Sequence, residues 1–147
     1  MRNAVVALMI SFLIVFAPSA IALDEKEDTE TIKKALTEFY FGGLKNGDAK
    51  LLDQIFHDEF RMMSINNEGI LSIVNKQTFL GWYETPRENN SEEWSFEVYS
   101  VDVTGHEASA KVRIENKQTK YIDYFNLLKI DGKWWIMHKI YKGFPKE

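Results

Sequence analysis

Residues 127–141 read LLKIDGKWWIMHKIY, two apolar runs joined by Asp131-Gly132. Asp-Gly between apolar runs signals a hairpin, because a type I′ turn needs positive φ at both central residues. The turn predicts a register: Ile130 opposite Lys133, then Lys129 with Trp134, Leu127 with Ile136, Phe125 with His138 and Asp123 with Ile140. Strand side chains alternate faces. Tyr121, Asp123, Phe125, Leu127, Trp134, Ile136, His138 and Ile140 are therefore expected on one face, and Tyr124, Asn126, Leu128, Trp135, Met137 and Lys139 on the other. The first set is the more apolar and is expected to face the core. Asp123 and His138 interrupt it at a diagonal offset of about 7–8 Å. A carboxylate beside an imidazole in an apolar surround is an arrangement used by general acid–base sites.

Upstream of the hairpin, Ala108, Ala110, Val112 and Ile114 alternate with Ser109, Lys111, Arg113 and Glu115, which predicts a strand over Ala108–Glu115. A strand over Trp94–Val103 precedes it and ends at Thr104-Gly105. Phe60–Ile65 and Ile70–Val74 flank Asn66-Asn67-Glu68-Gly69 and predict another hairpin. Ile32, Ala35, Leu36, Phe39, Tyr40, Gly43 and Leu44 recur at helical steps, so a helix capped by Asp28 or Thr29 is expected to run to about Leu44. Asn46-Gly47 ends it. Asp48 then caps a second helix over Ala49–Phe56, and Asn75 caps a third through Phe79, Trp82 and Tyr83 that stops before Pro86. Arg87–Glu93 is a polar loop with the sequon Asn89-Asn90-Ser91. Helices bunched early and strands late predict an α+β fold, a curved antiparallel sheet packed on three helices.

The chain opens with Arg2 and an apolar run from Ala4 to Ala17, followed by Pro18, Ser19 and the small residues Ala20-Ile21-Ala22. This is the pattern of a secretory signal peptide over 1–22, cleaved after Ala22. The run is shorter than the ~20 residues of a membrane span, so no stable membrane anchor is expected after cleavage, and the mature protein is expected to be secreted or periplasmic. Cleavage leaves 147 − 22 = 125 residues, read as one domain over 23–147. Removing Arg2 leaves 17 basic against 22 acidic residues, a net of −5, which argues against a nucleic-acid or anionic-membrane partner. The absence of Cys excludes disulfides and a lipoprotein anchor, so packing must hold the fold.

FYFGGLKNGDAKLLDQIFHDEF (39–60) and DYFNLLKIDGKWWIMHKIY (123–141) together resemble the "Putative lumazine-binding" family of the nuclear transport factor 2-like superfamily, close to SnoaL-type and ketosteroid-isomerase-like proteins. Tyr40, Gly43, Gly47, Asp48, Phe56 and His57 match its helix-turn-helix opening. Asp123, Leu128, Lys129, Asp131, Gly132, Trp134, Ile136 and Lys139 match its closing hairpin. The likeness spans about Thr31 to Tyr141, although His57-Asp58-Glu59 departs from the family's usual His-Pro-Asp-Ala. It implies a cone of curved sheet, three helices as its lid, and an apolar cavity between them. The superfold hosts many functions, so activity must be argued from the site.

The first functional expectation is binding of a small, partly apolar or heteroaromatic ligand, with Tyr40, Phe79, Trp82, Tyr83, Phe125, Trp134 and Ile136 lining the cavity. The second is a cofactor-independent isomerase or dehydratase, with His138 as base, Asp123 orienting it and Tyr40 as hydrogen-bond donor. The third is a homodimer through an exposed sheet face carrying Tyr124, Trp135 and Met137. No metal is expected, since His57, His106 and His138 lack ligand spacing and Cys is missing. No cofactor is expected either, because no phosphate-binding loop or nucleophile elbow occurs.

Overall fold

A computed structural model describes residues 20–66, 68–84 and 94–147, and side chains from residue 24 onward. The apolar run of the expected leader and the 89–91 sequon lie outside the described residues. A helical rod opens the fold: α1 (Ala20–Ala35), a π-helical segment (Leu36–Phe41) and α2 (Gly42–Asn46) follow one another without a break. The rod begins before Asp28, so neither Asp28 nor Thr29 caps it. Asp28 is instead buried, with a role described below.

Gly47 closes the rod in the left-handed region at φ 64°. Asp48 then caps the short α3 (Ala49–Asp53), its carboxylate accepting from the backbone N–H groups of Lys50 and Leu51. A Cβ on Gly43 would lie 2.6 Å from Leu52 Cγ, so glycine is what lets α2 and α3 pack this closely. The second helix is shorter than its apolar spacing suggested, because Phe56 already opens the first strand, β1 (Phe56–Ile65). The strand β2 (Leu71–Asn75) follows. Then Asn75 caps α4 (Lys76–Gly81) by accepting from Thr78 N–H, as its sequence position predicts.

β3 (Ser95–Thr104), β4 (Glu107–Glu115), β5 (Thr119–Ile130) and β6 (Lys133–Pro145) complete one curved six-stranded sheet, in the order β2-β1-β6-β5-β4-β3. Its pairs are antiparallel except β1 with β6, which run parallel. Asp131 and Gly132 take φ of 51° and 77°, the two positive values a type I′ turn demands.

Beyond that turn the register departs from strict alternation. Leu127 pairs with Ile136 as expected, but Asn126 pairs with His138, leaving Met137 as an extra residue on β6. A β-bulge of this kind sets two residues of one strand against one of the other and shifts every later side chain by one position. Phe125 therefore faces Lys139, and Asp123 faces Tyr141. The expected faces of His138 and Lys139 are exchanged. Lys139 turns into the core at 7% exposure, while Ile140, expected inside, is 46% exposed.

The core lies between the concave face and the helices. Ile32, Leu36 and Tyr40 of the rod meet Phe56, Phe60, Phe125 and Ile136 of the sheet, all essentially solvent-free. Aromatic contacts knit the region, including Phe56 with Phe60 at 4.2 Å and Phe56 with Phe79 at 5.2 Å between ring centroids. Burying each such side chain contributes about 1.5–3 kcal/mol, which lets the domain cohere without disulfides.

Candidate functional site

The concave sheet and the helices enclose a cavity of about 330 Å³. Tyr40 comes from the π-helical segment, Phe79 from α4, and Trp82 and Tyr83 from the turn after it. Tyr121 and Asp123 come from β5, and Lys139 and Tyr141 from β6. Leu44, Met62, Trp94, Ile114 and Asn116 complete the lining. A π-helical turn re-aims side chains relative to a regular helix and recurs at functional sites. Here it carries the tyrosine that reaches the polar centre of the cavity.

That centre is a three-residue cluster. Tyr40 hydroxyl donates to Asp123 Oδ2 at 2.6 Å, and Lys139 Nζ donates to the Tyr40 oxygen at 2.6 Å. Lys139 Nζ also lies 3.0 Å from Asp123 Oδ2. The Asp123 and Lys139 side chains are 1% and 8% exposed, so two opposite charges are taken out of water together. Their attraction and the shared tyrosine offset a desolvation cost that either charge alone would leave uncompensated. The ammonium also faces the rings of Tyr141, Tyr40 and Phe79 at 5.0, 5.2 and 5.7 Å. Burial first, and then the negative charge of Asp123, push the Tyr40 hydroxyl well above its usual range. It stays a neutral donor whose proton is committed to Asp123.

Two buried polar atoms of residues on this lining have no hydrogen-bond partner in the protein, Asp123 Oδ1 and Trp94 Nε1. One is an acceptor with charge behind it, the other a donor. Orphaned buried groups of this kind are rare and call for an explanation.

His138 is not part of the cluster. It sits opposite Asn126 and beside Arg61 on the outer face, because the bulge at Met137 reverses its direction. The His138–Asp123 pair is therefore not formed, so Asp123 does not orient this imidazole as a base. Tyr40, Phe79, Trp82 and Tyr83 line the cavity as the sequence predicts. Phe125, Trp134 and Ile136 do not. Phe125 packs edge-on against Tyr40 at 4.9 Å, Ile136 is buried in the core, and Trp134 turns to Asp28 on α1. The rod covers the sheet near the Asp131-Gly132 turn, so the open volume lies toward the other end of β5 and β6.

Alternation missed Lys139, Tyr141, Trp94 and Asn116. A signal for Lys139 existed in the family resemblance, which matched Tyr40, Asp123 and Lys139 together. Among the described residues no group of His, Cys, Asp or Glu is gathered to hold a metal ion, and no helix is long and apolar enough to cross a membrane.

Solved structures share the fold. An NTF2-like protein of unknown function from Shewanella baltica is 24% identical and superposes with a TM-score of 0.71 over 82% of this chain and 96% of its own. One from Silicibacter pomeroyi is 21% identical with a TM-score of 0.69, over 81% and 98%. One from Methylobacillus flagellatus is 24% identical with a TM-score of 0.68, over 80% and 93%. No curated protein sequence matches the chain. The family model described as "Putative lumazine-binding" matches residues 27–142. With that match over most of its length, and a six-stranded curved sheet under a helical cover like that of the NTF2-like structures, the chain belongs to the "Putative lumazine-binding" family.

Proposed function

We propose that the protein binds a small, planar, partly apolar molecule in the cavity and holds it without transforming it. One observation carries this reading: two unpartnered polar atoms, Asp123 Oδ1 and Trp94 Nε1, belong to residues lining a cavity whose other walls are mainly aromatic and aliphatic. Ligand sites typically combine apolar walls with a few oriented polar groups in volumes of roughly 300–1,000 Å³, and this cavity falls at the small end of that range. The family description names lumazine, a bicyclic heteroaromatic, which is a molecule of the proposed kind. Asp123 is held by an ammonium and a tyrosine, and the Tyr40 proton is already given to Asp123. That arrangement favours holding a ligand over moving its protons. We also propose export through the 1–22 leader, so that the ligand is met outside the cytoplasm; N-terminal sequencing of secreted protein beginning at Leu23 would support this.

The test is a titration of lumazine and of planar bicyclic probes into the purified protein, followed by calorimetry and tryptophan emission. Trp82 and Trp94 line the cavity, so saturable quenching with matching heat is expected. Absence of saturable binding by every probe up to millimolar concentration would overturn the reading.

A further inference from the structure

We infer that the ligand presents a neutral lactam edge, an N–H and a C=O side by side on a flat ring, to the Asp123–Lys139 pair. This rests on the ligand-binding reading above and narrows it to a chemical class.

The argument is an inventory of donors and acceptors. An ionised carboxylate has two accepting oxygens, and an ammonium has three N–H donors. Asp123 Oδ2 takes both the Tyr40 hydroxyl and Lys139, while Oδ1 takes nothing from the protein. Lys139 directs donors at Asp123 Oδ2 and at the Tyr40 oxygen, which leaves one N–H to spare. The pair therefore has one spare acceptor and one spare donor, on groups whose nearest atoms are 3.0 Å apart. A lactam matches that pattern. Its nitrogen and oxygen lie about 2.3 Å apart, as bonds of ~1.33 and ~1.23 Å to a shared carbon require. Its N–H reaches Asp123 Oδ1 while its carbonyl accepts from Lys139.

Charge narrows the class further. The ion pair is already neutral, so a ligand with net charge would bring an unmatched charge into a largely aromatic site. A carboxylate would be repelled by Asp123 Oδ1, and an ammonium by Lys139. A hydrocarbon would leave Oδ1 desolvated and unpaired. Trp94, another lining residue, adds a second unpartnered donor in its Nε1, which favours a ring with a second carbonyl. Tyr40 acts as a positioning residue, fixing Asp123 through Oδ2 so that Oδ1 is the free oxygen.

The experiment compares isomeric ligands, which leaves the protein untouched. Lumazine, 6,7-dimethyllumazine and 1,3-dimethyllumazine are titrated by calorimetry, with naphthalene-type hydrocarbons as planar probes lacking a lactam. The two dimethyl forms have the same added volume, but only the 6,7 isomer keeps its N–H groups. The 6,7 isomer is expected to bind about 10- to 100-fold more tightly than the 1,3 isomer, the range for a hydrogen bond to a charged group. Trp94→Phe, which keeps a ring but removes the indole N–H, is expected to weaken lumazine by about 3- to 10-fold. Equal binding by the two isomers, whether both tight or both weak beside lumazine, overturns the lactam edge and leaves the ligand reading standing. If neither the lumazines nor the hydrocarbons bind, the ligand reading falls and the inference with it.

Discussion

The concave side carries two clusters of the same composition, an aspartate, a lysine and an aromatic residue with a polar tip, and they differ in one atom. At the turn end, Asp28 Oδ1 accepts from Trp134 Nε1 at 2.9 Å and Oδ2 accepts from Lys129 Nζ at 2.9 Å. Both carboxylate oxygens are satisfied, and the cluster fastens α1 to the closing hairpin. In the cavity, Asp123 gives one oxygen to Tyr40 and Lys139 and leaves the other without a protein partner. A fully satisfied polar cluster specifies packing, whereas a partly satisfied one keeps hydrogen-bonding capacity that its neighbours do not use. Position along β5 and β6 decides which becomes which, because the helical rod covers one end and leaves the other open.

The largest expected contrast comes from removing each ammonium. Lys139→Met strands Asp123 in the core and should cost about 3–5 kcal/mol in denaturant unfolding. Lys129→Met should cost far less, since Lys129 is partly exposed to solvent and Asp28 keeps its indole partner. Equal losses would break the distinction between the two clusters. Saturating ligand sharpens it: a hundredfold excess over Kd should raise wild-type and Lys129→Met stability by about 2.7 kcal/mol, and Lys139→Met by much less.

Next in size is Trp134→Phe, which deletes the N–H held by Asp28. A cost of about 1.5–3 kcal/mol is expected from the loss of a bond to a charged acceptor, with ligand affinity unchanged, because Trp134 lies outside the cavity lining. Thermal unfolding and calorimetry measure the two halves of that statement.

The clusters should also fail at opposite ends of the pH scale. Burial works against ionisation of Asp28, but the bonds from Lys129 and Trp134 outweigh it and hold its carboxyl below the usual range. A lowered folded pKa gives stability that is present above the unfolded value of about 3.9 and is lost as pH falls through the folded one. Tyr40 is raised, so its contribution is complete below about pH 10 and is lost as pH climbs through its folded pKa. Asp28→Asn should flatten the acid limb of the stability profile and Tyr40→Phe the alkaline limb. An alkaline limb unchanged in Tyr40→Phe would contradict the assignment.

The smallest effect is expected at His138. His138→Gln should leave ligand affinity within about twofold, since its ring is on the outer face.

Much of this architecture was legible from local chemistry. Asp131-Gly132 announced its turn because few residues accept positive φ. Asp48 and Asn75 announced their helices because a short side-chain oxygen satisfies N–H groups that a helix start leaves open. The early start of the rod was hidden, since Asp28 has the character of a helix cap until Trp134 and Lys129, over a hundred residues away, turn it into a buried partner inside the helix. Four of the seven expected cavity residues line it. Phe125, Trp134 and Ile136 have the right face but the wrong end of the strand, and a sequence does not say how far a helix extends over a sheet.

By itself the sequence determined the α+β class, the closing hairpin, the helix caps and the family, all set by periodicity, turn chemistry or motif. Only the tertiary structure decided the identity of the buried pair. Period-two alternation holds until a single extra residue enters a strand, and the bulge at Met137 lies where β6 runs between β5 and β1, its antiparallel and its parallel neighbour. That one residue sends His138 outward and brings Lys139 to Asp123 and Tyr40.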